Sequence, residues 1–167
     1  TVIMGGPHVT FLPEEALEYA DFVIRGEGEA PLMSFIDAWE TDRDYSRVPN
    51  LSFRIDGGYT HNPMLPFEDD LDRLPVSDFS LMTDQTRLKV IPVQTSRGCP
   101  YDCSFCSVTG MFGKKYRFRS TGHILDELRR YRNSGKMIFF YDDHFAANRK
   151  RAKELLRAMI DEGLTFK

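Results

Sequence analysis

All three cysteines of the chain fall in one run of eight residues, Cys99-Pro100-Tyr101-Asp102-Cys103-Ser104-Phe105-Cys106. An odd, tightly spaced set is a poor disulfide framework and fits a reducing compartment, so a cytoplasmic protein is expected. Thiolates are soft ligands, suited to iron-sulfur clusters or to zinc. On one short loop, C-x3-C-x2-C spacing lets three thiolates take three corners of a cubane and leaves the fourth iron open to a small molecule. Zinc would want a fourth protein ligand, such as His123 or His144. The reading adopted is a [4Fe-4S] cluster on Cys99, Cys103 and Cys106, with a structural zinc or iron-sulfur module as its rival.

The loop interrupts a β/α rhythm. Residues 90–94 read as a strand, although Pro92 argues against a regular central one. Ser120 caps a predicted helix running to about Ser134, with Ile124, Leu125, Leu128 and Tyr131 facing inward and Gly135 as its stop. Met137 to Tyr141 is a dense apolar strand. Asn148 caps a further helix, which carries Ala152, Leu155, Leu156, Met159 and Ile160 and ends at Gly163. Two strands joined by a crossover helix should be parallel neighbours, with functional groups at their C-terminal ends. The cysteine loop leaves the first such end and Asp142-Asp143 the second, so the two are expected side by side. Lys114, Lys115, Arg117 and Arg119, interleaved with Tyr116 and Phe118, are read as an ordinary solvated loop rather than a nucleic-acid surface.

Upstream, Val2–Met4 and Phe22–Ile24 read as short buried strands. A helix opens at Pro13, with Ala16, Leu17 and Ala20 inward, and another runs from Glu29 to Trp39. Both strands end in glycine, at Gly5-Gly6 and at Gly26-Glu27-Gly28, so the two loops are expected at one edge of one sheet. This is the trailing half of an open α/β domain. From Thr41 to about Lys89 the pattern changes. Leu51, Phe53 and Ile55 alternate with polar residues, Asp56-Gly57-Gly58 turns, and Tyr59–His61 returns. An irregular connector with Pro63, Pro66, Pro75 and the acidic run Glu68-Asp69-Asp70 follows. The divisions are therefore 1–40, 41–88 and 89–167.

With 41% hydrophobic and 28% charged residues in 167, the chain reads as globular. A formal charge of -3 gives no reason to expect nucleic acid or an anionic membrane as partner, and no apolar run approaches the length of a spanning helix. The sequence opens at Thr1 inside a strand-like run and closes just after a helix stop. It is therefore read as an internal piece of a longer protein.

The run TSRGCPYDCSFC, Thr95 to Cys106, resembles the signature of the radical S-adenosylmethionine (SAM) enzymes. The resemblance implies that Cys99, Cys103 and Cys106 hold a [4Fe-4S] cluster whose open iron is chelated by the amino and carboxylate groups of SAM. It further implies that an electron from the cluster cleaves SAM to methionine and a 5′-deoxyadenosyl radical. Phe105, the aromatic before the last cysteine, is implied to pack by the adenine. Gly5-Gly6-Pro7-His8 and Arg25-Gly26-Glu27-Gly28-Glu29 resemble the end of the cobalamin-binding domain that precedes the barrel in one large branch of that family. Gly5, Gly6, Gly26, Glu27 and Gly28 are thereby implied to border cobalamin, the candidate third cofactor, while His8 is not promoted to a cobalt ligand. Asp142 and Asp143 fall where many members carry a Gly-Gly-Glu turn for the SAM amino group.

The fold so implied is α/β. It comprises the end of a Rossmann-like cobalamin-binding domain in 1–40, a hairpin and connector in 41–88, and the first two β/α units of a (β/α)6 barrel in 89–167. A small-molecule substrate and an external donor of flavodoxin or ferredoxin type are implied, with methyl transfer, cyclisation or rearrangement as the outcome. No catalytic side chain is singled out. The alternative is a radical SAM methylthiotransferase or RNA-modifying enzyme. The piece alone is expected to be inactive, and its open strand edge offers a route to pairing with another chain.

Overall fold

Alternating apolar residues place helices on both faces of the first sheet. The computed structural model describes residues 1–84 and 87–166. Gln85 and Thr86, in the predicted connector, and Lys167 lie outside the described residues. The described chain forms two compact units, Thr1–Phe67 with Tyr101–Lys114, and Glu68–Pro100 with Lys115–Lys167.

In the first unit β1 (Ile3–Gly5), β2 (Phe22–Ile24), β3 (Leu51–Ile55) and β4 (Gly58–His61) make one sheet in that order. The β1–β2 pair is parallel and the other two pairs are antiparallel. Successive side chains of a strand point to opposite faces. Val23 accordingly packs with Val9, Ala16 and Leu17, from the region of α1 (Pro7–Phe11) and α2 (Pro13–Ala16). Its neighbour Ile24 packs on the other face with Phe35 and Ala38 of α3 (Glu29–Glu40) and with Leu51 and Phe53. The Phe22 ring joins that face, 4.9 Å from Phe35 and 4.7 Å from Tyr45.

Two short helices were not expected. Pro7 opens α1, where its missing N–H would have had no partner. The other is α4 (Val108–Phe112), in the second segment of this unit. Gly110 of α4 lies against Phe11, and a Cβ there would come within 2.8 Å of the ring.

The second unit holds β5 (Val90–Val93), β6 (Ser96–Arg97), β7 (Arg117–Phe118), α5 (Thr121–Arg129), β8 (Met137–Phe140) and α6 (Arg149–Asp161). As the crossover argument requires, β5 and β8 are parallel neighbours, with Val90 opposite Met137 and Val93 opposite Phe140. Ile91 and Val93 are fully buried against Ile124, Leu125 and Leu128 of α5 and Leu155 of α6. Pro92 is accommodated because the ladder uses the odd-numbered residues of β5. Met137 and Tyr141 donate their N–H groups to the carbonyls of Lys89 and Val93, so the nitrogen of Pro92 faces away from β8.

The expected caps are present. The Ser120 hydroxyl accepts from His123 N–H and the Asn148 side chain from Arg151 N–H, each at 3.1 Å. The helix after Ser120 is shorter than expected. Beyond Arg129 the backbone continues to Ser134 in tighter turns, with N–H groups of Tyr131 and Ser134 bonded three residues back.

The reading of 114–119 as a solvated loop is corrected. Residues 117–118 form β7, antiparallel to β6. Arg117 is only 4% exposed and donates to the Glu68 carbonyl. Among the described residues no helix is long and apolar enough to cross a membrane.

Candidate cofactor site

The cysteine loop is launched from a buried polar node. Thr95, just beyond β5, has no exposed surface. Its N–H and hydroxyl donate to the two carboxylate oxygens of Asp142 at 2.8 and 3.0 Å. Its carbonyl accepts from Arg119 N–H at 3.0 Å and from the Arg151 guanidinium at 2.7 Å. The buried Ser96 hydroxyl also donates to Asp142, at 2.7 Å. A buried polar group left without a partner costs about 1–3 kcal/mol, so each bond made here matters to the geometry of the loop that follows. Arg119 reaches on to the Gln94 carbonyl at 2.7 Å and to Glu127 at 2.6 Å. Arg151, from the first turn of α6, lies 4.7 Å from the Phe118 ring centre. Burial lowers the pKa of its guanidinium.

All three thiols are free. Cys99 is half-buried, with its Sγ 3.7 Å from the Tyr116 hydroxyl. Cys103 and Cys106 bracket a turn closed by the Cys106 N–H and the Cys103 carbonyl at 3.0 Å. Phe105 stands on that turn at 91% exposure. Among the described residues no three His, Cys, Asp or Glu side chains gather as the ligands of one metal ion. The donor set nevertheless fits a three-thiolate cluster, since three free thiols share one loop and none is sequestered in the core.

The two aspartates after β8 are divided between different surroundings. Asp142 turns toward Thr95 and Ser96. Asp143 is exposed, and its carboxylate makes no hydrogen bond to another described residue. Desolvation, and then the charge of Asp142, hold its carboxyl above the usual range.

The glycine loops of the first unit lie at one sheet edge, because Gly5 is opposite Ile24 in a parallel pair. Thr10 bridges them. Its hydroxyl donates to the Gly6 carbonyl at 2.8 Å and accepts from Gly26 N–H at 2.9 Å. Gly26 has φ +69°, and a Cβ there would meet the Met64 methyl at 2.6 Å. Asn50, almost fully buried, donates to the carbonyls of Arg25 at 2.8 Å and Glu27 at 3.4 Å. It also accepts from Leu65 N–H at 2.7 Å. Gly28 opens α3, and Glu27 is half-buried between the two glycines. Neither Thr10 nor Asn50 was singled out in the sequence. The one local signal is that Asn50, before a strand, is a residue that tolerates the φ of 60° it adopts.

The model of the Radical SAM superfamily matches residues 93–167. An uncharacterized methyltransferase of Pyrococcus horikoshii is 37% identical over 172 residues, covering 98% of this chain and 38% of that protein. The bacteriochlorophyllide d C-8(2)-methyltransferase of Chlorobaculum tepidum is 29% identical over 175 residues, covering 99% and 37%. The chain thus spans less than two fifths of the length of either relative. Among solved structures, the radical SAM methyltransferase TsrM from Kitasatospora setae, with cobalamin and a [4Fe-4S] cluster bound, matches with a TM-score of 0.75. Its identity is 20%, over 96% of this chain and 34% of that one. The α/β fold is therefore one found in radical SAM methyltransferases. The part of the chain that the Radical SAM superfamily model matches carries the cysteine loop and both aspartates.

Proposed function

We propose that the whole protein is a cobalamin-associated radical SAM enzyme acting on a small molecule, with methyl transfer as the leading reaction. The observation that carries this is the parallel β5–β8 register, which sets the start of the cysteine loop and Asp143 beyond the same ends of two neighbouring strands, with no hydrogen-bond partner for the Asp143 carboxylate among the described residues. In this reading Cys99, Cys103 and Cys106 hold three irons and leave the fourth open. Bound cofactors would supply one-electron cleavage of SAM to methionine and a 5′-deoxyadenosyl radical, and methyl carriage by cobalamin. Asp142 holds the head of the loop, and Asp143 accepts the SAM ammonium, whose positive charge offsets the desolvation of its carboxyl. Phe105, exposed on the turn, offers an aromatic face to the adenine.

Gly5-Gly6 and Gly26-Glu27-Gly28, set at one edge and joined through Thr10, form the border of a cobalamin surface. Residues 1–40 are then the end of a Rossmann-like cobalamin-binding domain, 41–88 a connector, and 89–167 the first two units of the barrel. The parallel β5–β8 pair with its crossover helix supports the last of these. The electron comes from a flavodoxin- or ferredoxin-type donor. The names of the two methyltransferase relatives support methyl transfer, with ring closure or rearrangement as the other outcomes.

Anaerobic reconstitution of the whole protein should give about four irons and four sulfides per chain. The variant with Cys99, Cys103 and Cys106 all changed to Ala should bind none. Normal iron in that variant, or one zinc per chain in the wild type, would overturn the assignment. Asp143→Asn should weaken SAM binding to the loaded protein about ten- to a hundredfold, since a hydrogen bond to a charged group contributes about 1.5–3 kcal/mol. Equilibrium dialysis with SAM measures this, and unchanged affinity removes Asp143 from the site.

A further inference from the structure

We propose that Tyr116 and His144 form a hydrogen-bond relay onto the Cys99 sulfur and raise the reduction potential of the cluster that sulfur ligates. The inference rests on the cluster reading above. The Tyr116 hydroxyl stands 3.7 Å from Cys99 Sγ and 3.5 Å from His144 Nδ1. Its place follows from strand register. In the β6–β7 ladder Ser96 is opposite Phe118 and Arg97 opposite Arg117. One further step sets Tyr116 opposite Gly98, beside the first cysteine. The ring is held there by stacking on Phe118, with centroids 5.7 Å apart and planes 27° from parallel. Phe118 in turn carries the Arg151 guanidinium on its ring.

Proton bookkeeping gives the relay its direction. A thiolate bound to iron has no proton to donate, so of the two atoms only the phenol can donate to the other. A phenol has one proton. With that proton on the sulfur, the phenol oxygen accepts from His144, which must then carry its proton on Nδ1. Two donors in series polarise one another and strengthen the bond that ends on sulfur. Reduction of a cluster adds negative charge to its thiolates, so a donor at a thiolate favours the reduced form and raises the potential. His144 directly follows Asp142-Asp143, so the relay connects the turn after β8 to the first cluster ligand.

The test is an EPR-monitored redox titration of the reconstituted whole protein. Tyr116→Phe keeps the stacked ring and should retain its iron with a more negative midpoint. His144→Ala, at an exposed position, should shift the midpoint the same way by less. Because the relay is serial, His144→Ala should add nothing once Tyr116 is Phe. The Fe–S(Cys) stretching band should rise in frequency in Tyr116→Phe as the thiolate loses its donor. An iron-loaded Tyr116→Phe with an unchanged midpoint overturns the relay. So does a His144→Ala shift of equal size in both backgrounds. If Tyr116→Phe fails to load, His144→Ala decides alone, and no shift there overturns it. Failure of the wild type to take up iron is a different result and strikes the cluster assignment itself.

Discussion

Glu127→Ala should lower the stability of the protein by about 3–5 kcal/mol, the range for removing one partner of a buried ion pair. The Glu127 side chain is 4% exposed and its partner Arg119 11%, with 2.6 Å between them. Without the carboxylate, the guanidinium keeps the Gln94 carbonyl but loses its counter-charge inside the protein. Glu127→Gln retains an acceptor and should cost less. Replacing Arg119 and Glu127 together by Met and Leu should land nearer the wild type than either single change, because no charge is then stranded. Urea unfolding of the apo-protein measures all of these. The exposed Arg87–Asp84 pair is the control, expected at about 0–1 kcal/mol. A Glu127→Ala loss no larger than that control would show that the pair is not buried in solution.

Asp142→Ala should cost about 3 kcal/mol, since it strips the acceptor from the Thr95 N–H, the Thr95 hydroxyl and the Ser96 hydroxyl at once. The Thr95 amide should also lose its protection from hydrogen exchange, which reports release of the strand end before the cysteine loop. Asp142→Asn keeps one acceptor oxygen, and the hydroxyls can rotate to meet its amide, so about half that cost is expected. Asp143→Asn should not lower stability and should raise it slightly, because that carboxylate has no hydrogen-bond partner among the described residues and its charge is opposed by desolvation and by Asp142. Equal destabilisation by the two Asn variants would contradict the division of labour drawn between neighbouring aspartates.

What could be seen in the sequence follows from the range of the interactions concerned. Ile124, Leu125 and Leu128 announce their face through helical periodicity, and all three are buried where that periodicity puts them. Ser120 and Asn148 cap helices because a cap needs only residues three positions away. The juxtaposition of Asp142 with the head of the cysteine loop followed from topology alone, as parallel strands share an end. The role of Asp142 did not. Its hydrogen-bond partners are 46 and 47 residues away, and nothing local distinguishes it from Asp143. Thr10 and Asn50 were missed for the same reason, with partners 16 and 25 residues distant. The basic stretch misled because Arg117 has the composition of a surface residue, and the Glu68 carbonyl that satisfies it lies 49 positions upstream. Strands of two residues, such as β6 and β7, carry no periodicity to read.

The position of Pro92 gives the β5–β8 sheet a direction of growth. On the side of β5 away from β8, the donors of Val90 and Gln94 flank a ring nitrogen with no hydrogen to offer. A strand laid along that side meets an interrupted row and a bulky pyrrolidine at its middle. The far side of β8 has no such interruption, since Ile138 and Phe140 turn ordinary N–H groups outward there. A further strand would therefore meet an uninterrupted row of donors past β8 but not beside β5.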